Sequence, residues 1–337
     1  MTTDLLRGLG ERAAGFRLKG DSKRFMGIPA WQTNRNMLSQ TNLYQRTTDP
    51  LMGAELFGIV AAMGWAVDAI LVRIGSRYST PASAALVSFI IASCIFWTIL
   101  LSSFSLDLLS SPANFYFSLS GFLQPAMVRL LYYTGIVRLG VSRAGPVRAT
   151  TPLFAIVLAY FFLKERPGFS VYAGVILTVA GVWLISYRRE GEAHWRTFDL
   201  IFPLGAALLA AISQNIRKTG LLILPNPLVA VTVNTTTSLI LFVATLLATG
   251  KIRTIRINRE SFPYYGGAAI AASAAQLLTF TALSGGQVSV VVALLNTTPL
   301  FILLFTFVFL RKVESLTRAV VIGVCVLVGG IVLITLR

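Results

Sequence analysis

Ten apolar stretches, each close to the twenty or so residues that cross a bilayer as a helix, succeed one another through this chain. They fall at 52–74, 81–103, 115–137, 141–163, 168–187, 198–218, 226–249, 263–284, 287–310 and 316–336. A bilayer interior offers backbone amides no water, so a single apolar segment of this length satisfies its N–H and C=O groups only by coiling into a helix. With 55% hydrophobic and 12% charged residues in 337, and a mean hydropathy of +0.74, the chain has too few charges to cover a soluble surface. The fold class predicted is therefore an all-α membrane protein of ten transmembrane helices.

The chain repeats itself. Thr150, Thr151, Pro152, Leu153 and Phe154 return as Thr297, Thr298, Pro299, Leu300 and Phe301 at an offset of 147 residues. The register extends backwards through Thr134 and Thr281, Val141 and Val288, and Ser142 and Ser289. Forwards, after a two-residue insertion, Glu165 meets Glu314, Gly174 meets Gly323 and Gly181 meets Gly330. The division expected is a basic polar tail over 1–50, a first five-helix repeat over 51–190 and a second over 191–337. An odd number of spans per copy makes the second enter the membrane in the opposite sense, the inverted arrangement found in many secondary transporters. Pro152 and Pro299 each remove a donor inside an apolar span, and the neighbouring threonine hydroxyls are expected to serve the freed carbonyls of these kinks. Paired interruptions of this kind point to a binding region.

Charge and composition exclude several classes. The net charge of +16 lies mostly in the tail and the short loops, where anionic lipid headgroups rather than nucleic acid are the expected partner. In the tail, Leu5, Leu9, Ala13 and Phe16 share a helical face amid Arg7, Arg12, Arg17 and Lys19, read either as a membrane-surface helix or as a disordered tail. His194 is the one histidine and has no ligand cluster around it; no metal and no cofactor are expected. Cys94 and Cys325 read as small core hydrophobes. Gly267, Ala271 and Ala275, and the repeated glycines of the fifth and tenth spans, read as close helix contacts.

These features together resemble the drug/metabolite transporter superfamily with EamA-type repeats. The residues that carry the likeness are the two five-span repeats, Pro152 and Pro299, the turn Phe162-Leu163-Lys164-Glu165-Arg166 and the glycine-bearing fifth span, over about 50–337. The resemblance implies secondary transport of a small molecule without nucleotide hydrolysis, in a multi-pass protein of the plasma (inner) membrane with a cytoplasmic N-terminus. Basic residues divide evenly between the two faces, so the positive-inside rule does not add to that orientation. Where the family has one acidic turn residue, the second half has Arg311, Lys312, Val313 and Glu314.

Charges inside the spans name a candidate site. Arg129 and Arg148 lie about equally far from the turn near Leu139, roughly 14 Å deep at 1.5 Å per residue, while Arg143 reaches an interface. Gln276 and Asn296 hold the corresponding depth in the second half, and Tyr132 and Tyr133 stand one turn from Arg129. Asp68 is the carboxylate well inside a span and the candidate coupling residue. One acid does not neutralise two guanidiniums, and planar forks suit carboxylate or phosphate. The expected activity is transport of a small organic anion by alternating access at a midplane site, not catalysis. Two alternatives remain open: proton-coupled export of cationic or amphipathic compounds through Asp68, and a non-transporting membrane scaffold.

Overall fold

A computed structural model describes residues 50–103, 106–139, 144, 147–186, 197–309 and 318–336. The tail and its proposed surface helix lie outside these residues, as do Arg143, His194 and the turn containing Arg311 and Glu314. A compact helical unit begins at Asp49, and no strand occurs among the described residues. The helices are α1 (Pro50–Gly75), α2 (Pro81–Ser103), α3 (Ala113–Gly121), α4 (Val128–Leu139), α5 (Thr151–Phe162), α6 (Phe169–Ser186), α7 (Ile201–Ile223), α8 (Pro227–Ala248), α9 (Phe262–Gly285), α10 (Val288–Leu295), α11 (Thr298–Phe309) and α12 (Arg318–Thr335). Six segments among the described residues are long and apolar enough to cross a membrane.

Proline opens many of these helices, because its fixed φ suits the first turn and its missing N–H is one the helix does not use there. Pro50, Pro81 and Pro227 are first residues, and Asn226 completes the start of α8 by accepting from Leu228 N and Val229 N, each at 3.1 Å.

Three of the expected spans are interrupted. The stretch expected to run continuously over 115–137 is α3 and α4 separated by a wide turn at Phe122–Met127, where Gln124 is extended at φ −131° and ψ 124°. Pro125 causes this, since a residue before proline is pushed out of the helical region. The ninth span divides into α10 and α11 around Asn296 and Thr297, and helix α5 begins only at Thr151. Pro152 and Pro299 are the second residues of α5 and α11. The sixth span continues five residues beyond the expected end at 218, to Ile223, which sets Arg217 and Lys218 inside the helix rather than at its end.

Small residues set the closest contacts. α6 and α12, repeat counterparts, pack where a Cβ on Gly174 would stand 2.7 Å from the Gly330 carbonyl. α1 crosses α9 at Gly64, where a Cβ would stand 2.9 Å from that of Ala275. The cysteines correct the sequence reading: Cys94 and Cys325 are both exposed on the outside of the helical body.

The unit has two ends. At one, the turn after α1 meets the segment before α9: Ser79 Oγ donates to the Arg256 carbonyl, Asn258 Nδ2 to that of Tyr78 at 3.0 Å and Tyr265 Oη to that of Thr80 at 3.1 Å. At the other, the α9–α10 turn is held by Glu165 and Lys218 above a cluster that includes Phe96, Phe117, Phe280, Leu283 and Val291.

A Cβ at Gly181 would lie 2.6 Å from Leu327 N, against backbone, whereas one at Gly329 meets nothing within 4 Å. Gly181→Ala is therefore expected to cost about 1–3 kcal/mol through forced separation of α6 and α12, and Gly329→Ala to be silent. The monodisperse fraction after detergent extraction and graded heating checks the pair.

Candidate functional site

The breaks in the helices are where the polar groups of the interior collect, and hydroxyls explain how the broken backbone is tolerated. In an unbroken helix Pro125 would have left the Gly121 carbonyl without its donor; Ser238 Oγ supplies one at 3.2 Å. Pro152 does the same to the Arg148 carbonyl, which Thr151 Oγ1 serves at 2.8 Å, and Pro299 to that of Leu295, served by Thr298 Oγ1 at 2.7 Å. Thr150 and Thr297 bond the Val147 and Leu294 carbonyls at 2.7 and 2.6 Å. The repeated Thr-Thr-Pro is thus a self-compensating helix break. Across it the halves touch: Asn296 Nδ2 donates at 3.0 Å to the carbonyl of Ala149, the residue 147 positions earlier.

Around these breaks lies a cavity of about 490 Å³. Trp65, Asp68 and Val72 line it from the second half of α1, and Ala84 to Ala92 from the first half of α2, so it extends toward the end bearing the α1–α2 turn. Gln124, Arg148 and Thr151 come from the first-half breaks, Asn296 and Thr298 from the second. Toward the opposite end stand Arg217 and Thr279, beneath which the apolar cluster closes the interior.

Four of the residues singled out in the sequence thus line one cavity: Asp68, Arg148, Gln276 and Asn296. Arg148 Nη1 donates to Thr151 Oγ1. Gln276 Nε2 donates to Asn234 Oδ1 at 3.2 Å and lies 3.4 Å from Thr235 Oγ1. Asp68 is half-buried and makes an interaction of its own. Tyr132 is half-buried in the packing of α4 on α7, near Val128, Ala206 and Ala210, within electrostatic range of Arg148 but outside the cavity lining. Arg129 and Tyr133 lie on α4, and their side chains are not among those described. Pro152 is buried at the start of α5.

Arg217 was missed. It is 5% exposed in α7, its guanidinium carbon 5.0 Å from the Phe280 ring centroid and its Nη1 3.5 Å from Gln214 Oε1. The adjacent pair Arg217-Lys218 reads as a loop only if the helix stops at it. The apolar run Leu221 to Leu224, ending at Pro225-Asn226-Pro227 with its capping asparagine, was the signal that the helix continues. Gln124 was equally readable, as the residue before a proline inside an apolar span. Among the described residues no carboxylate stands within 4.0 Å of Arg148 or Arg217, the ion pair there being Arg138 with Asp199 at 3.0 Å.

Lys218, one residue on, has a different task. Its Nζ donates to the carbonyls of Leu283 and Gly286 at 2.8 and 2.9 Å, groups that the end of α9 leaves unpaired. Glu165 answers it from the first half, accepting from Val288 N at 2.8 Å, Ser289 N at 3.2 Å and Ser289 Oγ at 2.9 Å. A carboxylate at a helix start and an ammonium at a helix end both oppose the local backbone dipole.

A model of the EamA-like transporter family matches residues 52–187 and again 198–336. A protein of Bacillus subtilis (strain 168) named as the uncharacterized transporter YdfC is 29% identical over 154 residues, 45% of this chain and 48% of that protein. YcxC, likewise named as an uncharacterized transporter of that strain, is 31% identical over 98 residues, 28% of this chain and 31% of its own. An uncharacterized transporter of Archaeoglobus fulgidus is 21% identical over 152 residues, 45% of this chain and 54% of its own. The chain spans about half, or less, of the length of these curated relatives. A crystal structure with 16% identity superposes with a TM-score of 0.72 over 85% of this chain and 97% of that one, a likeness of fold.

Glu165→Gln keeps the size of the cap but removes its charge, at an expected cost of about 1 kcal/mol to the closed α9–α10 turn. Thiol modification of Val288→Cys, at a position 0% exposed, should then quicken roughly fivefold. An unchanged rate would mean that Glu165 does not hold the turn shut.

Proposed function

The chain belongs to the EamA-like transporter family, and on that premise we propose that it carries a small organic anion across the membrane by alternating access at this cavity. The observation that carries the reading is the charge of the lining: two guanidiniums, neither ion-paired among the described residues, against the single carboxylate of Asp68. Desolvated charge without a partner is costly, and a substrate oxyanion supplies the partner. Gln276 and Asn296 add amide groups to the lining, and Arg129 by its depth in the sequence and Tyr133 by standing one turn from it are assigned to the same site, with Tyr132 within electrostatic range of Arg148 but outside the lining.

The architecture that serves this function is ten spans in two inverted five-helix repeats, with α3 plus α4 and α10 plus α11 each making one broken span. Three features support it: the odd number of spans per copy, the packing of the counterpart helices α6 and α12, and the bond between Asn296 and its own counterpart Ala149. Alternating access then consists of releasing Glu165 and Lys218 from the α9–α10 turn while the cavity closes at its other end. A second reading has its own support, since Asp68 shares the cavity with Trp65 and Phe89, groups suited to an organic cation.

Proteoliposome uptake of an anion panel against a cation panel, with and without a pH gradient, separates the two. Anion uptake is expected, and Arg148→Gln that still purifies as monodisperse protein should lose about 2–5 kcal/mol of affinity. Cation uptake abolished by Asp68→Asn would replace this reading with the second, and wild-type anion affinity in Arg148→Gln would remove Arg148 from the site.

For the architecture, cysteines placed near 165 and 312 are expected to react with impermeant reagents from opposite sides of the membrane. Reaction from one side would overturn the inversion.

A further inference from the structure

The surroundings of Arg217 narrow the class of substrate. α5 and α7 run in the same direction, because the far end of each meets the α9–α10 turn through Glu165 and Lys218 respectively. They are level at Ala155 and Asn215, whose Nδ2 donates to the Ala155 carbonyl at 3.4 Å. Counted from that bond, Arg148 lies seven residues toward one end and Arg217 two toward the other, so their backbones differ in depth by about 13 Å. The side chains close most of that interval. Arg148 reaches one turn forward to Thr151, and Arg217 one turn back to Gln214. The two forks therefore lean toward each other across the cavity that both line, from helices that belong to different halves of the repeat.

Arg217 also has capacity to spare. Its guanidinium carbon stands over the Phe280 ring, and its buried Nε has no hydrogen-bond partner among the described residues. A buried N–H left over in a cavity wall marks a place for an acceptor, and the free edge of a guanidinium takes two oxygens of one acidic group. Asp68 lies beyond ion-pair distance of both arginines and has its own interaction, so it fills neither fork.

We propose, resting on the anion reading above, that Arg148 and Arg217 are opposed jaws of one clamp and that the substrate is a compact dianion, two negative charges a few ångströms apart. A short dicarboxylate and a phosphate monoester both have that chemistry. A monoanion leaves one jaw empty and its guanidinium unpaired, which is why the clamp discriminates by charge number rather than by size.

Competition binding to the purified full-length protein tests this with succinate and glycerol phosphate against butyrate. Wild-type protein should bind at least one of the dianions tenfold or more tighter than butyrate, and which of the two wins identifies the acidic group. Arg217→Gln should erase that difference, and Arg217→Lys, which keeps the charge without the fork, should retain part of it. Equal affinity for butyrate and both dianions would overturn the clamp while leaving an anion transporter. Cation binding with no anion binding would overturn the parent reading as well. Where Arg217→Gln yields no monodisperse protein, the wild-type comparison alone decides.

Discussion

Where a proline interrupts an apolar span among the described residues, one backbone carbonyl loses its donor in surroundings that offer no water. The rest of the structure is arranged around repairing that loss. Three times a hydroxyl within reach makes the repair, from Ser238 to Gly121, from Thr151 to Arg148 and from Thr298 to Leu295. Two of these repairs come from the same turn and one from a neighbouring helix, and among the described residues they let non-helical backbone stand in the interior at these points. The polar lining follows from the same places: Gln124, Arg148 and Asn296 each flank a break. The cavity is thus a consequence of where the prolines stand, with the apolar helix faces closing around it.

Much of this was legible because it depends on backbone chemistry that sequence displays directly. Helix existence followed from apolar length, and the threonine repair from the doubled Thr-Thr-Pro. What escaped depended on tertiary neighbours. Arg217 looks like a loop residue beside Lys218, and only the packing of α7 on α5 and Phe280 reveals that one of the pair faces the cavity while the other caps α9. Cys94 and Cys325 were misplaced for a similar reason, since an apolar residue in an all-round apolar helix carries no mark of which neighbour it meets. For Tyr132, spacing put it near Arg129, but the packing of α4 on α7 turns it away from the cavity lining.

At the end where the interior is closed, polar groups fix the position of an otherwise apolar packing. An apolar seal alone would be cheap to open in any direction. Glu165 and Lys218 give it a defined closed position, because their partners are backbone groups at fixed places on one turn. Arg217 and Lys218 are consecutive, so a residue that lines the cavity and the residue that caps α9 sit on the same helix.

The contact between Asn296 and Ala149 joins a side chain to the repeat image of its own backbone position. For two halves related by a two-fold axis, a point bonded to its own image lies at that axis, where a rocking motion has its smallest displacement. In the transport cycle proposed above that bond would be a pivot, kept through the exchange of open and closed ends while the contacts at either extremity are made and broken. A short amide serves there because it spans the gap between two broken helices without demanding that either straighten.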